Sequence, residues 1–81
     1  MTIAADTDLK KINQILDSGG VSQLHIDAIK DEVHLEKAEQ KLRRRAKSIR
    51  RRMKLDSNHT IRAERQQKIN AIYEALEILA G

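Results

Sequence analysis

Residues 23–54 read QLHIDAIKDEVHLEKAEQKLRRRAKSIRRRMK, with no Gly or Pro among them. Strong helix formers fill most of these positions, so the stretch predicts one long helix, about 48 Å at the usual rise per residue. Its first half carries two apolar stripes side by side, Leu24, Ala28 and Leu35 next to Ile26, Ile29 and Val33, a surface wide enough for two neighbours. The second half narrows to the single seam Leu35, Ala38, Leu42, Ala46, Ile49 and Met53, which suits one neighbour.

On the N-terminal side, Ser22 reads as the cap of this helix, with Val21 and Ile26 at the spacing of a hydrophobic staple. Before it stand the chain's only adjacent glycines, Gly19 and Gly20, where a left-handed residue can close a helix without a side-chain clash. They end a first helix, expected over about residues 6–18, whose stripe is Ala5, Leu9, Ile12 and Leu16 and whose start Thr2, Asp6 or Thr7 could cap. On the C-terminal side, the polar cluster Asp56-Ser57-Asn58-His59-Thr60 is rich in capping residues and marks a turn. A third helix follows over about residues 60–79, striped by Ile61, Arg65, Ile69, Ile72, Leu76 and Leu79 and widened near its end by Tyr73, Ala75 and Ile78. A short connection predicts that the second and third helices form a long antiparallel hairpin, with the short first helix packed on its wide end. The expected fold is therefore all-α, three helices in a single domain spanning residues 1–81. No stretch alternates apolar and polar residues with the β-branched enrichment of a strand.

Composition agrees with a small domain that has a thin core. Of 81 residues 40% are hydrophobic and 35% charged, and a chain this short buries only about 60 to 70% of its unfolded surface. The absence of Cys excludes disulfides, thiolate metal sites and thiol nucleophiles. One aromatic residue, no Pro and three Gly leave no means of building a base-stacking platform, an aromatic cage or a glycine-rich phosphate cradle. No apolar run approaches the length of a membrane span, about 18 residues or more, and the N-terminus lacks a basic stretch followed by an apolar one. A soluble, cytoplasmic protein without membrane partners is expected.

The charge is segregated along the chain. Residues 1–40 carry four basic and eight acidic side chains, residues 41–68 twelve and two, and residues 69–81 none and two, so the net values −4, +10 and −2 make up the overall +4. Much of the positive charge is a heptad written twice, Arg43-Arg44-Arg45-Ala46-Lys47-Ser48-Ile49 and then Arg50-Arg51-Arg52-Met53-Lys54-Leu55. With Leu42 at zero and about 100° per residue, the apolar seam stays near zero while cations cover the rest of the girth. Pairs such as Arg43 with Lys47 and Arg50 with Lys54 set like charges one turn apart, at about 0.2 to 0.5 kcal/mol each. Such a surface calls for an anion.

A helix basic around most of its girth suits a major groove between two phosphate backbones, and an excess of Arg over Lys favours forked contacts to phosphate or guanine. With no aromatics to stack on bases, duplex DNA is favoured over single strands. The sequence thus predicts a small non-enzymatic regulatory protein that binds nucleic acid through Arg43, Arg44, Lys47, Arg50, Arg51 and Lys54, with Arg62 and Arg65 of the third helix at the same tip. The alternative is an adaptor, inhibitor or chaperone whose basic tip fits an acidic protein surface. A partner interface, a homodimer first of all, is expected at Ile26, Ile29, Val33, Tyr73 and Leu76, where apolar surface exceeds what one short helix can cover.

Signals for chemistry are sparse. Asp31 and His34 have the i, i+3 spacing of bundle metal sites, but only one such pair exists and His34 reads as a surface residue. Glu32, Glu36 and Glu39 form a row that reads as a solvated face, and Ser48 and Ser57 lack an adjacent base with its orienting group. No catalytic residue, metal or cofactor is expected.

Overall fold

The computed structural model describes residues 6–80 and, within them, three α-helices and no strand: α1 (Asp6–Ser18), α2 (Glu32–Leu55) and α3 (His59–Ala80). The expected contributions of Thr2 and Ala5 to the first helix lie outside the described residues. α1 ends where the glycines predict. Gly20 takes a positive φ of 84°, and the Val21 N–H donates to the Leu16 carbonyl at 2.7 Å to close the last turn. Gly19 is needed for a different reason: a Cβ there would lie 2.4 Å from the Ala71 Cβ of α3. The end of α1 can rest on α3 only because both contact positions are small.

α2 departs from the expected long helix, beginning at Glu32 instead of about Gln23. Ser22 is therefore not its cap. That role falls to Asp31, whose backbone is extended (φ −157°, ψ −177°) and whose side chain accepts from the His34 N–H at 3.0 Å. Residues 21–30 form an irregular strap instead, and the reason is burial. On a helix the Ile26, Ile29 and Val33 stripe falls about 140° to 200° from Leu24 and not beside it as expected, so a single neighbour could cover only one of the two stripes. Released from the helix, the strap turns Val21, Leu24, Ile26 and Ile29 all into the core and leaves Ala28 exposed. Its backbone groups find partners elsewhere. The Asn13 amide clamps Ile26 on both sides, Nδ2 donating to the Ile26 carbonyl at 3.2 Å and Oδ1 accepting from the Ile26 N–H at 3.0 Å. Lys41 Nζ donates to the His25 carbonyl at 3.0 Å.

α3 packs against both α1 and α2. Of the seam expected on α2, Leu35, Ala38, Leu42, Ala46 and Ile49 are buried and Met53 is partly so, and on α3 Ile69, Ile72 and Leu76 are buried in the same core. The most enclosed side chains, Ile12, Leu16, Leu42, Ile69 and Ile72, come from all three helices. Each contributes on the order of 1.5 to 3 kcal/mol by leaving water. The chain turns back at residues 56–58, where the Asn58 side chain accepts from the Thr60 N–H at 2.9 Å and so starts α3. Arg65 of α3 pairs with Asp56, and Arg50 of α2 reaches Tyr73 of α3.

The molecule measures 42 × 20 × 19 Å. Its core does not reach the full length: no residue between Ile49 and Ile69 is buried. The last turns of α2, the turn and the first turns of α3 form a projecting tip.

Candidate nucleic-acid interface

The basic repeat occupies α2 from Arg43 to Lys54, and the seam through Leu42, Ala46 and Ile49 decides which way its cations face. With those three buried against α3, the positions about 80° to 280° around the helix must point outward. Arg43, Arg44, Lys47, Arg50, Arg51, Arg52 and Lys54 are all exposed, whereas Arg45 is partly covered beside the seam. Arg44, Lys47, Ser48, Arg51 and Arg52 line a shallow cationic depression on this outer face. Arg52 and Lys54 also lie in the last turn, where the negative end of the helix dipole favours them, just as Glu32 in the first turn faces the positive end.

Two ion pairs exist among the described residues, His34 with Asp31 and Arg65 with Asp56. None of the cations of the α2 repeat therefore has a described acidic partner. Arg50 is held by a neutral group: its Nη2 donates to the Tyr73 hydroxyl at 2.8 Å, and its guanidinium lies 5.7 Å from the centre of the tyrosine ring. The contact orients Arg50 without cancelling its charge.

The eight residues expected at a nucleic-acid surface separate into two groups. Arg43, Arg44, Lys47, Arg50, Arg51, Lys54 and, on α3, Arg62 are exposed. Arg65 is partly buried and paired with Asp56, where it bridges the two sides of the turn, so it belongs to the scaffold of the tip and not to its outer surface. The five residues expected at a partner interface separate as well. Ile26 and Ile29 lie inside the chain's own core, drawn in by the strap, and Leu76 is buried too. Only Val33, 56% exposed, and Tyr73, 43% exposed, remain accessible.

Two exposed apolar residues are not foreseen from the sequence: Ile61, expected in the stripe of α3, is 39% exposed, and the other lies on α2. Leu55, the last residue of α2, is 88% exposed. Its place was readable, because thirteen residues beyond Leu42 a helix has rotated to about 220°, well off the seam. Leu55 thus lies among the cations, one turn past Arg51.

Asp31 and His34 form a local exposed pair, His34 Nδ1 lying 2.8 Å from Asp31 Oδ1. The His34 backbone N–H, and then the imidazole, hold the Asp31 carboxyl below its ordinary value of 3.8. Among the described residues no three His, Asp or Glu side chains gather as metal ligands, and no described helix is long and apolar enough to cross a membrane. Comparison with models of protein families, with curated proteins and with solved structures finds no match.

Proposed function

We propose that this protein is a non-enzymatic binding protein of the cytoplasm that holds double-stranded nucleic acid, duplex DNA first, on the outer face of α2. The observation that carries the proposal is the row of seven exposed cations from Arg43 to Lys54 with no described acidic partner, on a helix whose opposite side is anchored to α3. Anchoring matters because a fixed cationic ridge loses little side-chain and backbone freedom when a polyanion arrives, while each phosphate contact releases condensed counterions. α2 and α3 act together as a helical hairpin: α2 carries the contacts, and Arg62 extends them across the turn.

The Arg44→Ala, Arg51→Ala double variant tests the proposal. Both residues lie on the outer face, so folding should be unchanged or slightly favoured as one-turn repulsion is relieved. Binding to a 20-bp duplex, followed by fluorescence anisotropy against salt, should weaken, and the log–log slope should flatten by about 0.9 for each phosphate no longer neutralised. Unchanged affinity and slope would end the nucleic-acid reading.

Exposed Val33, Ile61 and Tyr73 favour a second reading, an adaptor that grips a protein with an acidic surface. Such a partner would stay bound in excess unrelated duplex, which would displace a nucleic acid. Self-association rests on the same residues, because Ile26, Ile29 and Leu76 are already covered. Light scattering at tens of micromolar distinguishes a dimer from the 9.3 kDa chain.

A further inference from the structure

Arg44, Ser48, Arg51 and Leu55 stand at i, i+4, i+7 and i+11 of α2, the spacing of one ridge along a helix face. Arg44 and Arg51 are exposed, Ser48 is partly so, and Leu55 closes the row almost fully in water. Leu55 is the one large apolar side chain on the exposed side of the basic repeat. It serves no core, since burial on α2 ends at Ile49. Phosphates give an apolar side chain nothing to bind. The floor of a major groove does: thymine displays a 5-methyl group there, beside the paired acceptors of guanine that suit a forked arginine.

We infer that this ridge reads bases as well as phosphates, with Leu55 covering a thymine methyl group in the major groove while Arg51, one turn earlier, contacts the neighbouring acceptors. The inference rests on the duplex-binding reading above and adds a sequence preference to it. The turn from Arg51 to Leu55 rises about 6 Å, close to two base-pair steps, so both side chains fit one short stretch of groove. The charge of the ridge supports this occupant. Arg51, Arg52 and Lys54 lie within one turn of Leu55 on its N-terminal side, so the apolar side chain adjoins cations as a methyl group in the groove adjoins phosphates.

The test uses the full chain and two 20-bp duplexes of alternating TG·CA sequence, one with thymine and the other with uracil throughout. They differ only in the methyl groups, and every register offers guanine near thymine. The wild type should bind the thymine duplex about fourfold more tightly, the value of one methyl-sized group leaving water. Leu55→Ala should erase that ratio and keep the salt slope, because no charge is removed, while Leu55→Met should retain most of the preference. A helical circular dichroism spectrum for each variant excludes unfolding as the cause. Equal wild-type affinity for both duplexes, with a steep salt slope retained, overturns the role of Leu55 and leaves duplex binding standing. A preference unchanged in Leu55→Ala also overturns it, since the preference then comes from the shape of the duplex. Absence of salt-dependent binding to either duplex removes both the inference and the reading beneath it.

Discussion

Around Ile12, Leu16 and Ile72 the three helices enclose side chains that water does not reach, whereas around Arg51, Lys54 and Leu55, on the same α2 and α3, nothing is enclosed at all. The helices are continuous from one region to the other, so the difference is not one of secondary structure. It comes from α1 and the strap, which cover the far end and stop short of the tip. The covered end is fitted closely enough that Gly19 meets Ala71 without room for one more carbon. The uncovered tip keeps like charges one turn apart, a destabilising arrangement tolerated only where the core elsewhere holds the helices. The stabilising core and the proposed binding surface thereby fall in separate regions, and substitutions should sort accordingly.

The largest effect belongs to the core. Ile72→Ala removes a fully buried side chain at the helix on which the other two rest and should cost about 2 to 5 kcal/mol in urea unfolding. Leu55→Ala at the tip should change stability by no more than about 0.5 kcal/mol. Equal costs at the two positions would break the comparison. An intermediate effect is expected at Asn13, the clamp of the strap. Asn13→Ala leaves the N–H and carbonyl of Ile26 without their partner, a loss of about 1 to 3 kcal/mol. In that variant, hydrogen exchange should quicken across residues 21–30 before it quickens in α3. Uniform acceleration would mean that the strap is not a separately held unit.

The smallest effect is one of pH, and it sharpens the boundary between strap and α2. The Asp31 carboxyl is held below its ordinary 3.8 by the His34 N–H and imidazole. A depressed carboxylate contributes stability that is fully present above the ordinary value and is lost as pH falls through the folded one. The first turn of α2 should therefore loosen below about pH 3.8, seen as a lower protection factor for the His34 amide after division by its intrinsic exchange rate at each pH. Asp31→Asn should remove most of that pH dependence while keeping a cap. Persistence of the pH dependence in that variant would place its origin elsewhere.

Much of this molecule is local physics, and the chain alone determined it. The 3.6-residue stripes of α1, of α3 and of α2 from Leu35 onward, the stop at Gly19-Gly20, the turn at residues 56–58 and the basic girth of the repeat all follow from residues within a turn or two of one another. Asp31 before Glu32 is itself a readable start signal, masked because helix propensity continues unbroken from Gln23. Tertiary structure decided what depends on distant residues. Asn13 replaces the helical hydrogen bonds of Ile26 from thirteen positions away, and burial of Ile26 and Ile29 in the chain's own core takes them from any partner. Arg65 is partly covered and its charge paired because the fold brings Asp56 to it across the turn. Periodicity records which side of a helix is apolar, but whether a segment stays helical, and whether a charge stays unpaired, depends on what the rest of the chain brings alongside.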